Sequence, residues 1–148
     1  MARRIISGIC VIFLLTLSFT SCMEKRLYRF LHDEDEILTI EIVRLGSFDN
    51  QRNKFNEQVL VCVDDHDTFL AEFDKIPCYK SYSPDGVRDN TVVIKITYMN
   101  EEYELIGSSG QSKYIYSDGQ FQFQKDVGKY DFDYKLLDEL LQKYLVAN

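Results

Sequence analysis

Thr91-Val92-Val93-Ile94-Lys95-Ile96-Thr97-Tyr98-Met99, running on through Asn100-Glu101 into Glu102-Tyr103-Glu104-Leu105-Ile106, is the stretch that decides the fold. Val92, Ile94, Ile96 and Tyr98 alternate with Val93, Lys95, Thr97 and Met99, the period-two pattern of a β-strand. Asn100-Glu101 turns this strand back into Glu102 to Ile106. Further on, Ser117-Asp118-Gly119-Gln120 turns Lys113 to Tyr116 back into Phe121 to Gln124, and the Asp-Gly pair suits a tight turn because Gly takes positive φ without steric cost. Gly107-Ser108-Ser109-Gly110 reads as a flexible link between the two hairpins. Two consecutive hairpins predict an antiparallel meander.

Upstream, Ile37 to Leu45 places Leu38, Ile40 and Ile42 on one face and Ile37, Thr39, Glu41 and Val43 on the other, which predicts another strand. Gly46 to Glu57 is rich in Asn, Asp, Gln and Ser and reads as a polar loop, with Gln58 to Val63 as the next strand. Phe69, Leu70, Phe73 and Ile76 share one face of a helix of about ten residues, with Asp67 in the N-cap role and Pro77 as the stop. At the end of the chain, Asp133 is a candidate cap, Phe132 can pack on Leu137, and Leu136, Leu137, Leu140, Leu141, Tyr144 and Leu145 form a helical stripe. The predicted class is α+β: a mostly antiparallel sheet of about six or seven strands with two amphipathic helices packed on one face. There is no internal repeat.

Length and composition bound the rest. A chain of 148 residues with 45% apolar and 28% charged content has room for one domain, and two prolines, seven glycines and twenty Phe and Tyr residues exclude collagen, coiled coil and disorder. The net charge is -7, and from Cys22 onward 15 bases stand against 24 acids. A nucleic-acid partner is not expected, because phosphate binding needs a surplus of Lys and Arg on one face.

The first residues read as an address. Met1 to Arg4 is basic, Ile5 to Phe19 carries no charge, and the small polar pair Thr20-Ser21 follows, which is the layout of an export signal. The apolar run is shorter than the roughly 20 residues a membrane-spanning helix needs. Phe19-Thr20-Ser21-Cys22 resembles the lipobox of bacterial lipoproteins: Thr20 and Ser21 match the two positions before the cysteine, and Phe19 keeps the bulky apolar class where the family usually has Leu. The resemblance covers only about 22 residues. It implies acylation of Cys22, cleavage before it and anchoring on a bacterial membrane face. The expected organisation is a signal peptide over residues 1–21, a lipid anchor and tether over 22–36, and a single domain over 37–148.

The candidate sites each have a structural rival. His66 sits in Asp64-Asp65-His66-Asp67, where carboxylates could orient an imidazole or share a metal, but acids at a helix start also cap free amides and meet the positive end of the dipole. Asp85 to Asn90 lacks the spacing and late Glu of a calcium loop, and Gly107 to Gly110 lacks the Lys-Ser or Lys-Thr pair of a phosphate loop. Tyr114 and Tyr116 share one strand face, as do Phe121 and Phe123 on its partner, so the hairpin is a possible binding surface or else core. Cys62 and Cys78 are a disulfide candidate in an exported chain, the alternative being two buried thiols. Rising about four strand residues and returning about nine helical steps, both near 13 Å, brings Cys78 back to the level of Cys62, so a bridge is expected.

No catalytic residue, metal or cofactor is assigned. The function read from address, size and motifs is an envelope lipoprotein with a small non-catalytic binding domain, of inhibitor or assembly type. It would be held to the membrane through lipid on Cys22, its partner an envelope protein or cell-wall component. The alternatives are an envelope hydrolase using His66 with Asp64 or Asp67, and a small-ligand carrier using the aromatic hairpins.

Overall fold

The computed structural model describes residues 25–26, 28–80, 86–108, 110–117, 120–124 and 130–147. The expected signal peptide, Cys22 and the Asp118-Gly119 turn pair lie outside them. The described elements, in chain order, are β1 (Lys25–Arg26), β2 (Ile37–Asp49), β3 (Lys54–Cys62), α1 (His66–Phe73), β4 (Cys78–Lys80), β5 (Val92–Tyr98), β6 (Tyr103–Gly107), β7 (Gly110–Ser117), β8 (Gln120–Gln124), β9 (Tyr130–Phe132) and α2 (Tyr134–Ala147). The class is α+β, with a six-stranded antiparallel sheet in the order β3-β2-β5-β6-β7-β8 and a separate three-stranded sheet in the order β1-β4-β9.

β5 to β8 form the expected meander. β6 and β7 form a third hairpin where a flexible link between two separate ones is expected, because Gly107 pairs with Gly110. Gly107 is needed for close approach: a Cβ there would meet Cγ1 of Val93 at 2.9 Å. The polar loop expected over residues 46–57 is likewise mostly strand. β2 runs to Asp49 and β3 starts at Lys54, with Phe48 opposite Phe55, so only residues 50–53 turn. Asp49 Oδ1 accepts the amides of Gln51 and Arg52 at 2.9 and 3.2 Å, and Asn53 takes φ 53°. The polar residues of this stretch decorate a hairpin arm: Asn56 Nδ2 donates to the carbonyl of Ser47 at 3.2 Å.

Both faces of the large sheet are apolar, and each is covered differently. On one face Ile40, Ile42, Val61, Ile94, Ile96 and Ile106 meet Phe69, Leu70 and Phe73 of α1 and Leu137, Leu140 and Leu141 of α2. Each fully buried side chain of this size contributes about 1.5–3 kcal/mol. On the other face Val43, Leu45, Phe55, Val87, Val93, Leu105 and Tyr114 cluster with Phe48 and Phe123 partly buried beside them. Among the described residues no helix contributes to that second cluster; the sheet curls so that Phe55 and Phe123, from its two opposite edges, meet over it. Leu38, expected beside Ile40 and Ile42, is 55% exposed because the pairing of β2 with β5 shifts register between Ile37 and Thr39.

Helix starts follow capping chemistry, with one correction. Asp65, not Asp67, caps α1: its Oδ1 accepts the Thr68 amide at 3.0 Å and its Oδ2 accepts the Thr68 hydroxyl at 2.7 Å. The helix accordingly begins one residue before Asp67. Asp133 caps α2 as expected, accepting the amides of Lys135 and Leu136 at 3.1 and 3.2 Å. Leu136, placed in the apolar stripe by its spacing, is 39% exposed.

The described part of the segment expected as a solvated tether, residues 25–26 and 28–36, is built into the body. β1 pairs with Tyr79 and Cys78 of β4. Tyr28, Phe30 and Leu31 pack on the helix-side core, and Glu34 to Glu36 form a 3₁₀ turn leading into β2. The ring of Tyr28 lies 5.1 to 5.8 Å, centroid to centroid, from Phe30, Phe73, Tyr130 and Phe132. A run of charge at 33–36 hid the aromatics that precede it.

Candidate functional site

The densest polar cluster lies where this N-terminal strap crosses β5, β6 and β7. Glu104 is fully buried. Its carboxylate accepts the Tyr28 hydroxyl at 2.5 Å, the Tyr98 hydroxyl and the Leu31 amide at 3.0 Å, and Lys113 Nζ lies 3.5 Å away. Burial above all, followed by the charge of Glu104 and hydrogen bonding to it, drives both tyrosine hydroxyls well above their ordinary range. They therefore remain protonated donors, and both oxygens of the carboxylate have partners.

Two residues earlier, just before β6, Glu102 accepts the Tyr116 amide at 2.5 Å and lies 2.6 Å from Nε2 of His32. Asn100 Nδ2 is 3.2 Å from the same ring nitrogen, and the His32 ring stands edge-on to Tyr98 at 4.9 Å. Burial works to raise Glu102, but the Tyr116 amide, His32 and Asn100 outweigh it and hold the carboxyl below its ordinary range. This cluster fastens the strap to the sheet. Sequence reasoning missed it, although Glu102 and Glu104 share a period-two face with buried Ile106, and acids on a core face call for partners.

His66 stands in a different place. It opens α1 beside Asp65, whose carboxyl is lowered by its hydrogen bonds to Thr68 and, less, by the neighbouring imidazole. Asp64 and Asp67 are exposed, and among the described residues no group of three His, Cys, Asp or Glu side chains is placed to hold a metal ion.

The aromatic hairpin divides. Tyr114 is buried, stacks on Tyr103 at 4.2 Å, and donates no surface; burial pushes its hydroxyl up to about 12. Phe123 sits 4.7 Å from Tyr114 in the second core. Tyr116 is 58% exposed, and the Phe121 side chain lies outside the described part of the structure. Tyr103 also carries Lys95 Nζ over its ring at 4.5 Å, and Lys95 pairs with Glu57 at 2.5 Å. Tyr114 and Phe123 are thus core residues rather than a binding ladder.

Cys62 and Cys78 are free thiols, not the expected bridge. Their level along the strand is not the deciding variable. Val61 and Val63 point into the core, so Cys62 between them faces outward, 3.9 Å from Oε1 of Glu41. Cys78 is buried in the small sheet, and burial, helped by the charge of Asp131, pushes its thiol up to about 12.

Among the described residues, a cleft of about 520 Å³ along α2 is formed to receive a ligand. Tyr134, Lys135, Asp138 and Gln142 form its helical wall, Thr91, Val92 and Ser108 its sheet wall, and Leu137 and Leu141 its apolar floor. The volume falls in the range of small-ligand sites, and the lining combines an apolar floor with converging polar groups. The cleft lies where α2 runs past Thr91, at the entry to β5, and Ser108, just after β6. No family model, no curated protein and no solved structure matches the chain.

Proposed function

We propose that the chain is an exported lipoprotein, held to a bacterial membrane through Cys22, whose domain acts by binding, with the cleft along α2 as the receiving site. The observation that carries the binding reading is the cleft itself, an apolar floor of Leu137 and Leu141 ringed by hydroxyl, amide and charged groups of both signs. Address and site are consistent with a partner among envelope proteins or cell-wall components. The strap cluster, by contrast, is spent on holding the fold, since Glu104 is sealed from solvent. Envelopes solubilised in detergent test the reading. Ser108→Trp, which fills the cleft from the sheet side, is expected to lose material that copurifies with the parent protein while melting at the same temperature. Equal copurification contradicts the cleft. Fatty-acid label in the parent and none in Cys22→Ser supports the anchor; label in neither removes it.

A further inference from the structure

Tyr134, Asp138 and Gln142 follow one another at four-residue spacing and all line the cleft, so they stand in a row along its helical wall, each about 6 Å beyond the last. The Tyr134 side chain is 62% exposed, so its ring is open to a ligand. A ring face one helical turn from a carboxylate can hold a cation from two sides.

The charge of the lining selects the same kind of ligand. Asp138 and Glu139 stand against the single base Lys135. Lys135 lies four residues before Glu139, the spacing at which opposite charges on a helix offset each other, which leaves the Asp138 carboxylate in surplus. The start of α2 would otherwise favour an anion, but that end is already taken: Asp133 accepts the amides of Lys135 and Leu136. On the sheet wall, the Thr91 hydroxyl spends its proton on the carbonyl of Arg88 at 2.6 Å, so it presents only acceptor lone pairs. An ammonium, which has donors and no acceptor, suits such a wall.

The floor sets the rest of the ligand. Leu137 and Leu141 are one helical turn apart, about 6 Å, and Val92 extends the apolar surface from the sheet side. A sugar laid on this floor would press hydroxyls against groups that cannot bond them, whereas an alkyl stem covers it and leaves a charged head at the rim.

We infer that the cleft takes a primary ammonium group on an aliphatic stem, with the stem over Leu137 and Leu141 and the head at Tyr134 and Asp138. This names the ligand class of the site proposed above and rests on that reading of the cleft. A free alkylamine and a lysine-type side chain of a peptide carry the same chemistry.

The test titrates the full lipidated protein, isotope-labelled and in detergent micelles, with pentylamine, with Nα-acetyl-lysine methylamide and with uncharged pentanol. Amide shifts are followed at Ser108 and Gln142 in the cleft and at Glu34 in the exposed acidic run of the strap. Both amines are expected to shift Ser108 and Gln142 saturably and Glu34 not at all, with pentanol weaker by about fivefold, the worth of one ring face and one exposed ion pair. Asp138→Asn, at an exposed position, is expected to weaken the amines and leave pentanol and the melting temperature unchanged. Tyr134→Leu, which keeps an apolar side chain but removes the ring face, should weaken the amines as well. Tighter binding of the acetylated lysine than of pentylamine assigns the head to a peptide side chain, and the reverse assigns it to a free amine. Pentanol binding as tightly as the amines, or equal shifts at Glu34, overturns the ammonium. If no probe shifts the cleft amides while Ser108→Trp still strips copurifying material, the ligand class falls and the cleft stands; if Ser108→Trp strips nothing either, both fall.

Discussion

Phe55 on β3 and Phe123 on β8 meet edge to face with ring centroids 5.5 Å apart, although their strands are the two opposite edges of one six-stranded sheet. Phe48 joins them at 5.0 and 5.2 Å, and the Phe55 amide donates to the Tyr114 hydroxyl at 3.3 Å. The contact shields aromatic surface that would otherwise face water, and it draws the two free edges toward each other, which also protects them from pairing with other chains. Phe123→Ala is expected to destabilise the protein by about 2–3 kcal/mol, below the roughly 3–5 kcal/mol of a fully buried Phe because Phe123 is only partly buried. Tyr116→Ala, on the same hairpin but 58% exposed, is expected to stay within about 0.5 kcal/mol. Urea unfolding of the two variants checks the difference, and equal losses contradict the curled arrangement.

Glu104 is the residue on which the strap depends. Glu104→Ala leaves the Tyr28 and Tyr98 hydroxyls, the Leu31 amide and the Lys113 ammonium without their shared acceptor in the interior, and should cost about 3–5 kcal/mol. Hydrogen exchange reads the structural consequence: the Leu31 amide should exchange much faster in the variant, ahead of amides in β5. Unchanged protection at Leu31 would place the strap's support elsewhere.

Glu102 makes stability depend on acid. Its folded-state carboxyl lies below the ordinary value of 4.5, so its contribution is fully present above that value and is lost as pH falls through the lowered folded value. Melting temperatures followed down from neutral pH should fall less steeply in Glu102→Gln than in the parent over that acid window, with the variant less stable at neutral pH. Parallel curves for the two proteins would exclude Glu102 as a contributor.

The two thiols should differ in the folded protein. Cys62, exposed on the outer side of β3, should be alkylated at neutral pH within the native state, whereas Cys78, buried and pushed up to about 12, should react only on unfolding. Peptide mass spectrometry should find Cys62 alkylated in the native protein and both Cys62 and Cys78 alkylated after denaturation. No adduct without reductant would restore the bridge.

What could be read from the sequence depended on periodicity. The alternation from Val92 to Tyr98, the Phe69, Leu70 and Phe73 face and the Asp133 cap are local patterns, and the fold honours each. Residues 46–57 failed because composition was read as loop where register continues as hairpin. The lead-in failed because an acidic run at 33–36 outweighed Tyr28 and Phe30, and because β1, β4 and β9 are two or three residues long, too short for any period. The cysteine expectation failed for a different reason: distance along the axis was counted, but the face on which Cys62 stands was not. The cleft has no sequence signature, since Thr91 and Ser108 meet Tyr134 and Gln142 only through tertiary packing.

The binding role of the α2 cleft is tested most directly by placing a photoreactive phenylalanine analogue at Gln142 of the full-length protein in its own membranes, with Arg52 as the control position. Gln142 lines the cleft, and Arg52 sits in the distal β2–β3 turn. The expected result is one discrete adduct from position 142, absent from position 52 and lost when Ser108→Trp fills the cleft. Irradiation that yields no adduct at 142, or the same adducts from both positions, contradicts the account.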